Sequence, residues 1–241
     1  MLLLDREFSD TQLHALSSEA DLRNIGKNVW PRVLSHCRAD ELRLYHITLP
    51  SLDGIERLTS TRKLNLEWAT KIDEVSPVFR MTNLTSLSIF DFPKLKNLSG
   101  IEALTKLLEF QLSGSRGATT PALRLTSIKP VVELPNLVSF SLQNAKIDDD
   151  DVTCLADCKT LRSLILSNQF EKGQIAYLAK RLNSQLEKPL SSRFESSSFC
   201  ASCGKPKHMF VGRKMPILCS GCDAARFQKL DEEFDRLVQQ A

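Results

Sequence analysis

The chain carries little charge of one sign. Its 32 Lys and Arg stand against 29 Asp and Glu, a net of +3, too small to mark the whole molecule as a binder of nucleic acid or membrane. It has no run near the roughly 20 apolar residues a membrane helix needs, so no membrane role is expected. It also lacks a phosphate loop, a nucleophile elbow and a paired-acid motif. Its four histidines, His14, His36, His46 and His208, form no recognisable pair with a nucleophile or carboxylate. These absences predict a protein that is not an enzyme. The opening Met1-Leu2-Leu3-Leu4-Asp5-Arg6-Glu7 lacks the basic lead and longer apolar stretch of a secretory signal, which predicts a cytoplasmic protein with reduced thiols. What the chain does have, 42% hydrophobic and 25% charged residues over 241 positions, suffices for one large or two small cores and excludes disorder as the main state.

Self-similarity is plain. A two-apolar core recurs at Leu42-Arg43-Leu44, Leu64-Asn65-Leu66, Leu87-Ser88-Ile89, Phe110-Gln111-Leu112, Phe140-Ser141-Leu142 and Leu164-Ile165-Leu166, in steps of 22, 23, 23, 30 and 24 residues. Three positions earlier the later units add Leu84, Leu107, Leu137 and Leu161, whereas the first two have Ala39 and Thr61. Further apolar positions between the cores, such as Leu52, Ile55 and Leu58, supply a returning arm. No such unit can bury its apolar face alone, so the units must stack.

Residues 39–188 resemble leucine-rich repeats of the short bacterial and phosphatase-regulator-like types. The resemblance implies an α/β fold of about six units: a solenoid with a curved parallel sheet on its concave side and helices and turns on its convex side. Two departures stand out. The asparagine that bonds the turn backbone in that family is replaced by Ala69, Phe92, Ser115, Ala145 and Gln169, which puts the regularity of the turns in question. The long step holds an insertion of about seven residues near Arg116, and insertions in solenoids are extruded as loops that carry contacts.

The ends must be covered. Residues 1–38 are expected to form a helical N-terminal cap, from the spacing of Leu13, Leu16, Ala20 and Ile25 with Ser9 or Asp10 as cap, and a second segment starting at Trp30-Pro31. Residues 189–199, rich in serine, read as a linker. Asp148 to Asp151 are expected to begin a helix, and Cys154 and Cys158 to lie in the core.

Residues 200–241 differ. Cys200 and Cys203 form one C-x-x-C pair and Cys219 and Cys222 another. Each pair presents two thiolates in a tight turn, and an intervening hairpin would bring four sulfurs around one tetrahedral ion. The region resembles a zinc ribbon, which implies a structural Zn²⁺, with iron as the alternative ion. The second knuckle departs from that pattern because Asp223, not Gly, follows Cys222. A helix follows, with Phe227, Leu230, Phe234 and Leu237 on one stripe. Module and helix are expected to cap the solenoid.

Side chains flanking the inward leucines point out of the concave sheet. The candidate contact residues are Arg43, Tyr45, Lys63, Asn65, Glu67, Trp68, Phe90, Glu109, Gln111 and Gln143, together with Arg116 on the inserted loop. Tyr45, Trp68 and Phe90 fall on adjacent repeats as an aromatic anchor. The expected function is non-catalytic binding of a protein partner. The resemblance adds one specific version, a bacterial immunity protein that neutralises a cognate toxin. The rival is nucleic-acid binding through the basic segment with Lys205, Lys207, His208, Arg213 and Lys214. The oligomeric state is not legible.

Overall fold

The computed structural model of the chain describes residues 1–115 and 123–241; the inserted loop with Arg116 lies outside the described residues. The strands are β1 (Leu2–Leu3), β2 (Glu19–Ile25), β3 (Glu41–Ile47), β4 (Lys63–Glu67), β5 (Ser86–Phe90), β6 (Glu109–Ser113), β7 (Leu123–Leu125), β8 (Ser139–Gln143), β9 (Ala145–Ile147), β10 (Ser163–Leu166), β11 (Arg193–Phe199), β12 (Pro206–Phe210) and β13 (Ile217–Cys219). The helices are α1 (Asp10–Ala15), α2 (Trp30–His36), α3 (Ser76–Phe79), α4 (Lys129–Val132), α5 (Lys172–Leu182) and α6 (Ala224–Gln240), with 3₁₀ turns at Ile55–Arg57, Ile101–Ala103 and Thr153–Asp157. None of these helices is long and apolar enough to cross a membrane.

Eight strands form one parallel sheet in the order β1-β2-β3-β4-β5-β6-β8-β10. The register aligns the repeat cores into two ladders. Ala20, Leu42, Leu64, Leu87, Phe110, Phe140 and Leu164 form the first, and Leu22, Leu44, Leu66, Ile89, Leu112, Leu142 and Leu166 the second. Nearly all are buried, and each such burial contributes about 1.5–3 kcal/mol before entropy is counted. Phe110 and Phe140 stack within the first ladder, with centroids 5.7 Å apart. The chain is a leucine-rich repeat solenoid with its parallel sheet on the concave side and short helices and turns behind it.

The N-terminal segment differs from its helical expectation. Only α1 and α2 are helical there, while Ala20 and Ile25 belong to β2, which pairs with β3 in the repeat register. The first unit is disguised because alanine stands in the leading leucine slot at position 20, and its apolar spacing fits a helix as well as a strand. Ser9 is the N-cap of α1: its Oγ accepts the Gln12 N–H at 3.2 Å, and Gln12 Oε1 accepts the Ser9 N–H at 2.8 Å.

The expected linker at 189–199 is corrected as well. Arg193–Phe199 is a strand that pairs antiparallel with β12, and β12 pairs with β13. Backbone pairing, with little burial of its side chains, makes this strand, so serine content conceals it. The helix expected after the aspartates is a 3₁₀ turn with Val152 at its N-cap; just before it, Asp151 Oδ1 accepts the Thr153 N–H at 2.8 Å. Behind it Cys158 is buried and Cys154 half-buried against the core. Burial pushes both thiols up, to about 11 and about 12.

Helix α6 packs on α5 and on the three-stranded sheet β11-β12-β13. Phe234 joins the solenoid core, Lys172 pairs with Glu233 at 2.6 Å, and Phe227 meets Phe210 edge-on at 5.1 Å.

Candidate metal centre and concave face

The four cysteines are brought together. Their sulfurs all lie within 4.8 Å of one another, with Cys200 to Cys222 at 3.7 Å and Cys203 to Cys219 at 3.3 Å. A disulfide would need about 2.05 Å, whereas a tetrahedral ion with metal–sulfur bonds of about 2.3 Å places sulfurs about 3.8 Å apart. The group could therefore hold a metal ion. Backbone N–H groups of Ser202 and Cys203 hold the Cys200 thiol down at about 6. Those of Cys222 and Gly221 lower Cys219 in the same way, at 3.5 and 3.4 Å. The neighbouring thiols of Cys203 and Cys200 push Cys222 up to about 12. Four sulfurs this close cannot all shed their protons without a cation among them.

The second knuckle needs no glycine, because Asp223 sits at φ −109°. The Asp223 carboxylate accepts the Cys219 N–H at 2.9 Å, and the turn runs straight into α6. The first knuckle does use its glycine: Gly204 has φ +70°, and its N–H donates to the Cys200 carbonyl at 2.9 Å.

The basic segment is partly committed to holding the module in place. Arg213 forks onto Asp150 at 2.6 and 2.8 Å, and its Nε donates to the Gln169 carbonyl at 3.1 Å. His208 meets Phe227 edge-on at 5.2 Å. Lys205, Lys207 and Lys214 remain as a small basic surface.

On the concave face, Arg43 grips Glu67 through two bonds of 2.8 and 2.6 Å and reaches Asp21 at 3.0 Å. Arg23 also binds Asp21, at 3.1 and 2.9 Å. These cations hold the Asp21 carboxyl below its usual range, Arg23 foremost. Both guanidinium groups lie over the Tyr45 ring, at 5.1 and 5.2 Å. Lys63 pairs with Glu41 at 2.5 Å, and Glu109 accepts the Ser86 hydroxyl at 3.1 Å. Asn65 and Gln111 are exposed, and Gln143 donates to the Ser141 hydroxyl at 3.0 Å. Asp21 and Arg23 escaped the sequence reading together with β2. The aligned spacing of Ala20-Asp21-Leu22 with Leu42-Arg43-Leu44, 22 residues on, was the signal that could have found them.

The aromatic residues do not form one cluster. Tyr45 and Trp68 meet at 5.7 Å. Phe90, 38% exposed, stands one strand further on, with no ring contact to either among the described residues. Trp68 is 40% exposed and does not fill its turn; Ala69 and Ile72, both fully buried, do.

The backbone shows why. One position near the end of five strands is left-handed: Asn24 (φ +63°) and His46 (+57°), each next to last in β2 and β3, and Trp68 (+58°), Asp91 (+59°) and Asn144 (+47°), each directly after β4, β5 and β8. This geometry takes over the bonding that the missing asparagines would provide. The Trp68 N–H donates to the Phe90 carbonyl at 2.9 Å, and the Ala69 N–H to the Asp91 carbonyl at 3.1 Å. Side chains of successive units then line one rim: Asp5 accepts from Asn24 at 2.8 Å, Asn24 Oδ1 meets His46 Nδ1 at 2.7 Å, and His46 stacks on Trp68 at 4.4 Å.

Internalins of Listeria monocytogenes are similar to this chain. One shares 20% identity over 70% of this chain and 52% of its own length, with a TM-score of 0.46. Internalin C2 shares 20% over 62% of this chain and 69% of its own, with a TM-score of 0.39. The chain thus spans about half the length of the first of these, and the likeness concerns fold alone. No family model and no curated protein sequence matches the chain.

Proposed function

We propose that the chain is a non-catalytic, cytoplasmic protein-binding solenoid whose partner docks on the concave face and its rim. The observation that carries this is Trp68. A tryptophan held at φ +58° and left 40% exposed is costly for the fold and contributes little to the core, yet large exposed aromatics are what anchor protein interfaces. Arg43, Tyr45, Lys63, Asn65, Glu67, Phe90, Glu109, Gln111 and Gln143 share that surface, and Arg116 on the inserted loop is assigned to the same contact. The Arg43–Glu67–Asp21 network keeps the charged residues ordered, which lowers the entropy a partner must overcome.

The four cysteines are assigned a structural Zn²⁺ in a zinc-ribbon-like module. Four thiolates fill the coordination sphere and leave no position for water or substrate. Ribbon and α6 together serve as the C-terminal cap of the solenoid. The more specific role of an immunity protein that neutralises a toxin rests on family resemblance alone and is decided by the identity of the partner.

Native mass spectrometry of the protein purified gently from its own host tests both parts. A mass increment of one zinc together with a bound protein supports the reading and names the partner. Nucleic acid bound in place of protein overturns the concave-face assignment, and a metal-free chain overturns the zinc assignment.

A further inference from the structure

Strand β10 ends the sheet, pairing with β8 alone. The Ser163 N–H donates to the Val138 carbonyl at 3.0 Å and the Ser167 N–H to the Leu142 carbonyl at 3.0 Å. Odd-numbered residues of β10 therefore face β8. By the alternation of a parallel ladder, Leu164 and Leu166 turn their N–H and C=O groups to the other side. Among the described residues nothing bonds to these four groups.

Among the described residues, the chain that follows β10 hydrogen-bonds to this edge at its two ends. At one end the Glu187 N–H donates to the Arg162 carbonyl at 2.8 Å. At the other, Asn168 donates to the Phe210 carbonyl at 2.7 Å and accepts the Gly212 N–H at 2.6 Å. Between the two clamps lies a cavity of about 320 Å³ lined by Leu164, Ile165, Leu166, Leu190, Phe194 and Val211. Ile165 is 52% and Phe194 45% exposed. Two cations reach the cavity, Lys188 and Arg193. Arg193 is tied to Asp231, whereas Lys188 is exposed, with no ion pair among the described residues. It directly follows Glu187 and so sits at the Arg162 end of β10.

We propose that the open edge of β10 is a second binding site, which takes an extended peptide segment of a partner protein as an added strand. Only an extended main chain presents donors and acceptors at the spacing that Leu164 and Leu166 offer. The apolar lining calls for apolar residues at alternate positions, and Lys188 calls for an acidic side chain at the Arg162 end. The open stretch from Ser163 to Ser167 is about 13 Å long, room for four or five residues. Ile165 belongs to the concave face as well, but the edge lies away from Trp68, four strands beyond β4.

Fluorescence anisotropy with the full-length protein tests it. The probes are labelled pentapeptides of alternating valine and threonine with one glutamate, placed first in one peptide and last in the other. One of the two is expected to bind. N-methylation of its alternate amides is expected to lower affinity at least about tenfold, as is Lys188→Glu, and a lysine in place of the peptide's glutamate should restore binding to that variant. Trp68→Gly is expected to leave this binding unchanged, so its result does not depend on the concave-face reading. Absence of binding at millimolar peptide, or binding indifferent to N-methylation, would overturn the proposal. So would concentration-dependent dimerisation that Ile165→Asp abolishes in sedimentation equilibrium, because a second copy would then own the edge.

Discussion

Replacing Trp68 separates stability from binding, because its backbone and its ring pull stability in opposite directions. At φ +58° a residue with a Cβ carries a cost of about 1–2 kcal/mol. Trp68→Gly removes that cost but gives back about 0.5–1 kcal/mol through the greater freedom of glycine in the unfolded chain. The lost ring contacts, to His46 at 4.4 Å and Tyr45 at 5.7 Å, are worth about 0.5–1.5 kcal/mol each when buried and less at this exposure. These pair contributions come on top of the area the ring buries, about 2 kcal/mol for a half-buried tryptophan, so the net change for Trp68→Gly is a loss of about 1–3 kcal/mol. Trp68→Ala loses the same ring and keeps the strain, so it should be less stable than the glycine variant by about 0.5–1 kcal/mol. Both variants should weaken partner binding by about 2 kcal/mol or more, roughly thirtyfold. Urea denaturation followed by circular dichroism gives the first pair of numbers, and calorimetric titration of the co-purified partner gives the second. Stability losses above about 3 kcal/mol in both variants would make Trp68 a core residue. An alanine variant as stable as the glycine one would remove the strain argument, and an unchanged affinity would remove the interface.

Three further outcomes follow from local geometry. At Gly114 an added Cβ would meet the Asn144 carbonyl oxygen at 2.3 Å and the Leu123 nitrogen at 2.7 Å, whereas at Gly173 it would meet nothing within 4 Å. Gly114→Ala should therefore cost about 2 kcal/mol or more in urea denaturation, and Gly173→Ala, in a helix, should add up to about 1 kcal/mol. Asp91 is buried with Oδ1 unpartnered, and burial raises its carboxyl. A raised folded-state value penalises the fold once pH climbs above the unfolded carboxyl's range near 4. Asp91→Asn should thus stabilise the protein at pH 7 by about 1 kcal/mol, with a gain that shrinks toward pH 3; a gain equal at both pH values would refute the burial argument. Chelation or Cys219→Ser should release one zinc per chain, read colorimetrically, and expose the β12 amides to hydrogen exchange while the repeat sheet stays protected. Loss of protection in β3 to β6 would mean that the module holds up the solenoid as well as capping it.

The repeats were legible because their burial is periodic: Leu64, Leu66, Leu87 and Ile89 are apolar for the same reason that they align. What escaped was structure that burial does not write into side chains. Strand β11 is defined by backbone pairing with β12, and its Arg-Phe-Glu-Ser-Ser-Ser-Phe sequence carries no alternation that would tell it from a linker. The left-handed position near the strand ends escaped for another reason: Asn24, His46, Asp91 and Asn144 are of the types that tolerate that region best, but such residues are common elsewhere, and Trp68 breaks the pattern. The convergence of the four cysteines was legible because the pair spacing constrains the turns directly. The role of Asp223 was not, since neither its negative φ nor its bond to the Cys219 N–H can be read from spacing.

The concave face is not uniform, and its gradient restricts where a partner can sit. From β2 to β4 it offers Asp21, Arg23, Arg43, Tyr45, Asn65 and Glu67, while β8 and β10 offer Ser139, Ser141, Ser163 and one exposed apolar residue, Ile165. Adjacent strands lie about 4.8 Å apart and five residues run about 17 Å, so the five strands β2 to β6 present roughly 300–400 Å² in projection. A stable interface buries about 800 Å² per partner. The charged half of the sheet therefore falls short by itself, and the missing area has to come from surface continuous with it. The serine half adds depth but few anchoring side chains. The rim formed by Asn24, His46 and Trp68 adjoins the charged half, carries its most exposed aromatic ring, and is held in line by the same left-handed backbone that orders the turns. A partner that satisfies the area requirement must wrap over that rim, which is why one residue on it, Trp68, is the sharpest place to test the interface.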